Sequence, residues 1–144
     1  MKKILIACAA VCCAALMAAP AVPGGWTTDY DAAVKQAAKE KKFVLVLFTG
    51  SDWCGWCKKL RKDTLDQAAF KKFAAKKLLL VYMDMPREQT LAERAKVQDL
   101  AGKLKAGGGV PCTVIVDRDG RVRGKIVGYR PLATYLEEIG KLAK

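Results

Sequence analysis

Short, uninterrupted apolar runs alternate along the chain with longer stretches in which apolar residues recur every three or four positions. Phe43 to Phe48 is a continuous apolar run of strand length, the pattern of a strand buried on both faces of a parallel sheet. Leu78 to Met83 and Cys112 to Val116 read the same way. Between the runs the spacing turns helical. Asp29 is placed to cap a helix reaching about Lys41, with Tyr30, Ala33, Val34, Ala37 and Ala38 on one face. Lys58 to Lys76 is helix-prone, with a break expected near Asp63 to Asp66 and a second apolar face at Phe70, Phe73 and Ala74. Pro86 is predicted to open a third helix that runs to about Ala106 and stops at Gly107, Gly108 and Gly109. Asp117 to Gly120 forms a turn into a fourth strand, Arg121 to Gly128, and so short a link implies an antiparallel hairpin. Pro131 then starts a last helix whose Leu132, Tyr135, Leu136, Ile139 and Leu142 share a stripe. The order helix, strand, helix, strand, helix, strand, strand, helix predicts an α/β sandwich around a mixed sheet.

The first stretch has a different character. Lys2 and Lys3 precede an apolar or small-residue run from Ile4 to Met17, which ends at Ala18, Ala19, Pro20 and Ala21. Residues 1–21 therefore read as a cleaved secretory signal. The run is shorter than the roughly 20 residues that span a bilayer, so no stable membrane span is expected after cleavage. Leu5, Ile6, Ala7 and Cys8 match a lipoprotein cleavage pattern, but too little apolar sequence precedes Cys8 to favour it. Residues 22–28, with Pro23, Gly24 and Gly25, read as a flexible lead, and 29–144 as one domain. A total of 144 residues suits one core of this size and not two.

Taking the signal away changes the cysteine count and the charge. Of six cysteines, Cys8, Cys12 and Cys13 go with it, leaving Cys54, Cys57 and Cys112. An odd number at such close spacing points to thiol chemistry rather than to a disulfide-stapled scaffold. Basic residues fall from 26 to 24 against 14 acids, a net charge of about +10. The lysines and arginines are spread over several helices without the aromatic interleaving of a nucleic-acid binder, so no nucleic-acid partner is expected.

Chemistry concentrates in Trp53-Cys54-Gly55-Trp56-Cys57, where a buried strand turns into a helix. Free amide hydrogens of the first helical turn and the helix dipole both favour an anion on the Cys54 sulfur, which makes Cys54 the nucleophile. Cys57, three residues on and on the same face, is placed to resolve a mixed disulfide. A free cysteine is roughly 3% thiolate at pH 7, and a pKa near 7 raises that about 16-fold. Nucleophilicity lost with basicity takes back roughly fivefold, so attack gains only about threefold. The shift therefore matters more for Cys54 as a leaving group and for the stability of the reduced form.

At these residues the chain resembles the thioredoxin-like superfamily, and most closely bacterial exported proteins with a Trp-Cys-Gly-Trp-Cys centre akin to the C-terminal domain of thiol:disulfide interchange proteins. The resemblance covers roughly Asp29 to Leu142 and includes Gly109-Val110-Pro111 just before a strand. It implies a thioredoxin fold, a three-layer sandwich with a central mixed sheet flanked by helices. It also implies that Pro111 is cis and lies against the cysteine pair, with Val110 and Pro111 binding substrate backbone, and Trp53, Gly55 and Trp56 beside them. The expected activity is extracytoplasmic thiol-disulfide exchange, in a periplasm or otherwise outside the cell. Reduction is favoured because no histidine separates the cysteines. Expected partners are disulfide-bearing exported proteins and a thiol electron donor; no cofactor is expected, and the chain is read as a monomer.

Two positions depart from the family pattern. The strand before the motif has no carboxylate, Leu47 standing where thioredoxins carry a buried aspartate, so water or another group must move the proton of Cys57. Cys112 follows the proline where threonine is common. Its place at the head of an apolar strand favours a buried inert thiol, the alternative being a third redox or partner-linking thiol. Three thiols and no imidazole do not complete a four-ligand zinc site, and no metal is assigned. Copper(I) binding by the two thiolates and a non-catalytic binding module on the same fold are the alternative functions. Lys58 after the motif excludes covalent haem attachment.

Overall fold

The computed structural model describes residues 22–144, so the predicted signal lies outside the described residues. In chain order the elements are β1 (Trp26–Thr27), α1 (Tyr30–Glu40), β2 (Phe43–Thr49), α2 (Gly55–Leu60), a π-helical turn (Arg61–Leu65), α3 (Ala68–Lys77), β3 (Leu78–Asp84), α4 (Leu91–Lys103), β4 (Cys112–Val116), β5 (Val122–Val127) and α5 (Leu132–Leu142). The strands form one sheet in the order β1-β3-β2-β4-β5. β1, β3 and β2 are parallel, whereas β4 runs antiparallel to β2 and forms the predicted antiparallel hairpin with β5.

β2 lies at the centre because both of its faces are apolar. Val44, Val46 and Phe48 point into one core, with Tyr30, Ala33 and Ala37 of α1 and Val97 of α4. Leu45 and Leu47 point into the other, with Phe70 and Ala74 of α3 and Tyr135 and Ile139 of α5. Alternation along one strand thus feeds two cores, and the result is a three-layer sandwich. Asp29 caps α1, its carboxylate accepting from the Ala32 amide at 2.9 Å.

Two predicted features differ, and a third is present in a form that the sequence does not specify. The stretch read as a flexible lead carries β1: after a turn closed by Trp26 N–H donating to Pro23 O at 3.1 Å, Trp26 and Thr27 pair with Leu80 and Val81. Two residues are too few to show a strand period, and what holds them is tertiary. The Trp26 ring lies 6.4 Å from that of Phe70 and 5.8 Å from that of Tyr82, centroid to centroid. The helix expected from Pro86 begins instead at Leu91, behind a capping box in which Thr90 and Glu93 satisfy each other's backbone. That helix also ends at Lys103, short of Ala106. The break expected near Asp63 to Asp66 takes the form of the π-helical turn, closed by Asp66 N–H donating to Arg61 O at 2.8 Å.

Candidate functional site

Cys54 is the N-cap of α2, with extended backbone, so its side chain faces the open amides of the first turn. Cys57 N–H points at Cys54 Sγ at 3.2 Å. The two cysteines are joined by a disulfide, their Cα atoms 5.2 Å apart, and both are nearly buried. Cys54 Sγ also lies 3.7 Å from the carbonyl oxygen of Val110. The peptide between Val110 and Pro111 is cis. Gly108 and Gly109, both at positive φ, deliver the chain to that bond, a conformation open to glycine and costly for other residues. Behind Pro111, its carbonyl accepts from Gly128 N–H at 2.8 Å, which ties the loop to the end of β5. Lys125 Nζ adds bonds to the carbonyls of Lys105 at 3.0 Å and Gly107 at 3.2 Å.

The turn that carries the motif is fastened across the sheet to the end of β3. Met85 N–H donates to Thr49 O, Ser51 N–H to Asp84 Oδ1, and Arg87 N–H to Asp52 Oδ2, at 2.9, 2.9 and 3.0 Å. Trp53 Nε1 donates to Met85 O at 2.6 Å, and a Cβ at Gly50 would collide with the Trp53 indole. Trp53 is therefore held in place while remaining 44% exposed. Trp56 is 62% exposed and rests on Tyr129, ring centroids 5.8 Å apart. Lys59 Nζ sits 5.1 Å over the same Tyr129 ring and 2.7 Å from Asp63, whose carboxyl it holds below the ordinary range. No Cβ contact surrounds Gly55, which leaves the face between the cysteines open.

Leu47 is buried among apolar neighbours, so no carboxylate approaches Cys57 from β2. A cavity of about 160 Å³ reaches Cys57 instead, lined by Ser51, Arg61, Asp66 and Tyr82 among others. Burial raises the Tyr82 hydroxyl above its ordinary pKa. Cys112 is 1% exposed, and burial likewise pushes its thiol up, against a smaller opposing pull from Lys125. Among the described residues no three His, Cys, Asp or Glu side chains converge on a metal-sized site.

The structure thus brings together Trp53, Cys54, Gly55, Trp56, Cys57, Val110 and Pro111, and sets Cys112 into the core behind them. Sequence reasoning missed Tyr129, Met85 and Tyr82. Tyr129 follows Gly128 at the end of a strand, and only the β4-β5 pairing carries it beside the motif. Met85 contributes through its backbone, which no residue type announces. Tyr82 lies within an apolar run, and its hydroxyl is the only signal in the sequence that sets it apart.

A disulfide-joined cysteine pair at a strand-to-helix turn, facing a cis-proline loop on a mixed sheet, defines a thioredoxin-like domain. The chain belongs to that family: the model of the thioredoxin-like domain matches residues 30–143. It is 34% identical over 105 residues to the disulfide bond reductase DsbH of Chlamydia pneumoniae, covering 72% of this chain and 62% of that protein. The chain therefore spans less than two thirds of that relative's length. A solved DsbH oxidoreductase superposes with a TM-score of 0.69 at 28% identity, covering 87% of this chain and 91% of the other. The oxidised C-terminal domain of DsbD from Neisseria meningitidis gives a TM-score of 0.59 at 22% identity, over 77% and 90% of the two chains, a likeness of fold alone.

Proposed function

We propose that this protein is a thiol-disulfide oxidoreductase that reduces disulfides in exported proteins through Cys54 and Cys57. The observation that carries the reading is the Cys54–Cys57 disulfide at the N-terminus of α2, with the Cys57 amide on Cys54 Sγ. In the reduced form that amide and the helix dipole stabilise the Cys54 thiolate. The thiolate attacks one sulfur of a client disulfide, forming a mixed disulfide and expelling the other client sulfur as a thiolate. Cys57, deprotonated in turn, attacks Cys54 Sγ and releases the second client thiolate. The client gains two electrons, and the protein is left as the Cys54–Cys57 disulfide until a thiol donor reduces it. Val110 and Pro111 hold the client backbone beside Cys54, and the exposed Trp53 and Trp56 flank it. The proton of Cys57 leaves through the cavity lined by Tyr82 and Asp66, whose volume of about 160 Å³ exceeds the roughly 10–15 Å³ needed to seat one water. DsbH is named as a disulfide bond reductase, which supports the reducing direction. The signal read in residues 1–21 supports an activity outside the cytoplasm, and among the described residues no helix is long and apolar enough to cross a membrane.

Redox titration with insulin reduction tests this reading. We expect a reversible Cys54/Cys57 couple near the roughly −270 mV of thioredoxin, insulin reduction abolished by Cys54→Ser, and mixed disulfides trapped by Cys57→Ser. A couple near −120 mV would make the protein an oxidant. Stoichiometric copper(I) binding without disulfide reduction would replace the enzymatic reading altogether.

A further inference from the structure

Beside the motif, on the Trp53 side, lies an open groove of about 440 Å³. Its walls include the Trp53 indole, Met85, Arg87 and Gln89 from the β3-α4 link, and Arg94 and Gln98 one turn apart on α4. The groove is built onto the redox turn by the bonds that fasten it, Trp53 Nε1 to Met85 O and Arg87 N–H to the Asp52 carboxylate. A ligand seated there is therefore in fixed register with Cys54, the residue after Trp53.

The chemistry of the groove is one-sided. It offers two guanidinium groups, two carboxamides and an indole face, and no carboxylate lines it. Neither Arg87 nor Arg94 forms an ion pair among the described residues. The acids nearby have other partners: the Asp52 carboxylate accepts from Arg87 N–H at 3.0 Å, Glu93 accepts from Thr90 N–H at 2.7 Å, and Glu88 and Glu93 line an adjoining cavity that meets the groove at Pro86 and Gln89. Guanidinium groups left without partners beside an exposed aromatic suit carboxylates on an extended peptide.

We propose that this groove is a specificity site that selects client disulfides flanked by acidic residues, Arg87 and Arg94 pairing with client carboxylates while Trp53 packs against the intervening chain. The proposal rests on the disulfide-exchange reading of Cys54 and Cys57 and adds the class of client. Each exposed ion pair contributes at most about fivefold, so two give a preference of roughly tenfold, carried mainly by association and weakened by salt.

The test measures single-turnover reduction by the reduced protein of two synthetic peptides that share one intramolecular disulfide and differ in having Asp and Glu, or Asn and Gln, beside it. Bis(2-hydroxyethyl) disulfide, which is small and neutral, reports the exchange chemistry without the groove. We expect the acidic peptide to react about tenfold faster at low salt, R87E/R94E to erase that preference, and K35E/K39E on α1, an equal change in total charge outside the groove, to preserve it. The small disulfide should react alike with all three proteins; if R87E/R94E is slowed there, R87Q/R94Q takes its place. Equal rates for the two peptides with the unaltered protein, a preference that survives the Arg87 and Arg94 changes, or one that K35E/K39E removes equally, overturns the groove assignment while the oxidoreductase reading stands. Failure of the unaltered protein to reduce even the small disulfide overturns both.

Discussion

Cys112 directly follows the proline of the active-site loop, yet its surroundings are those of a core residue. It is paired with Phe48 in the sheet and is 1% exposed, and burial raises its thiol pKa. A protonated, covered thiol is a poor nucleophile. Iodoacetamide at pH 7 should therefore alkylate the reduced native protein at Cys54 and modify Cys112 at least about a hundredfold more slowly, with denaturant abolishing the difference in peptide mass mapping. Cys112→Ser should keep insulin reduction, whereas equal loss with Cys54→Ser would make Cys112 a participant. Burial raises Tyr135 as well, whose hydroxyl lies 2.7 Å from Thr113 Oγ1. Both groups are neutral when protonated and titrate later in the folded chain than their ordinary values of 9.0 and 10.0, so above those values the unfolded chain holds fewer protons. Stability is then fully present below about pH 9 and lost as the pH climbs toward the folded pKa values. Urea midpoints should fall with alkali from near pH 9, and Cys112→Ala should delay the fall to near pH 10. Trp56 and Tyr129 form the other local unit: Tyr129→Ala removes the ring beneath Trp56 and should lower kcat/KM for insulin by about threefold to tenfold with little change toward a small disulfide, consistent with about 0.5–1.5 kcal/mol for such an aromatic pair.

At the scale of elements, α4 shows how a plausible local rule loses. Pro86 fits the first position of a helix, but the backbone around it is already committed: Met85 N–H goes to Thr49 O and Arg87 N–H to the Asp52 carboxylate. The helix starts where those obligations end, at Thr90, and the Thr90-x-x-Glu93 signature was there to be read. Thr90→Ala should cost about 1 kcal/mol in urea unfolding, and Pro86→Ala should leave the helix start in place by amide chemical shifts. The break after α2 was legible from Asp63 and Asp66, but its π form was not. An i to i−5 bond from Asp66 to Arg61 is a choice among close geometries, made where Thr64 Oγ1 donates to the Arg130 carbonyl 66 residues away at 2.9 Å. α3 contributes Phe70, fully buried between Trp26 and Tyr135, and Phe70→Ala should cost about 3–5 kcal/mol.

For the whole molecule, the central position of β2 sets the order of stability. It pairs with β3 on one side and β4 on the other, and both of its faces are covered. Amides of Val44 to Phe48 should exchange with solvent only through global unfolding, whereas those of β1 and of the edge strand β5, largely exposed, exchange through local opening. Hydrogen exchange followed by NMR checks this, and β5 amides as slow as those of β2 would contradict it.

The sequence alone determined what depends on neighbours in the chain. Apolar runs marked β2, β3 and β4, helical spacing marked α1 and α5, and the short Asp117-Gly120 turn marked the hairpin. Two cysteines after a buried strand marked the redox centre, because periodicity, caps and the spacing of a resolving thiol act within a few residues. Tertiary structure decided what depends on residues distant in the chain. It anchored Trp26 against Phe70 and Tyr82, set Tyr129 under Trp56, and brought a cavity with Asp66 and Tyr82 on its wall to Cys57, where β2 lacks a carboxylate. It also fastened the Trp53 turn to the β3-α4 link and so placed Arg87 and Arg94 in one groove with Trp53. The physical reason is that buried backbone groups must find partners and aromatic faces must find cover, and sheet pairing, not local sequence, chooses which distant residues supply them.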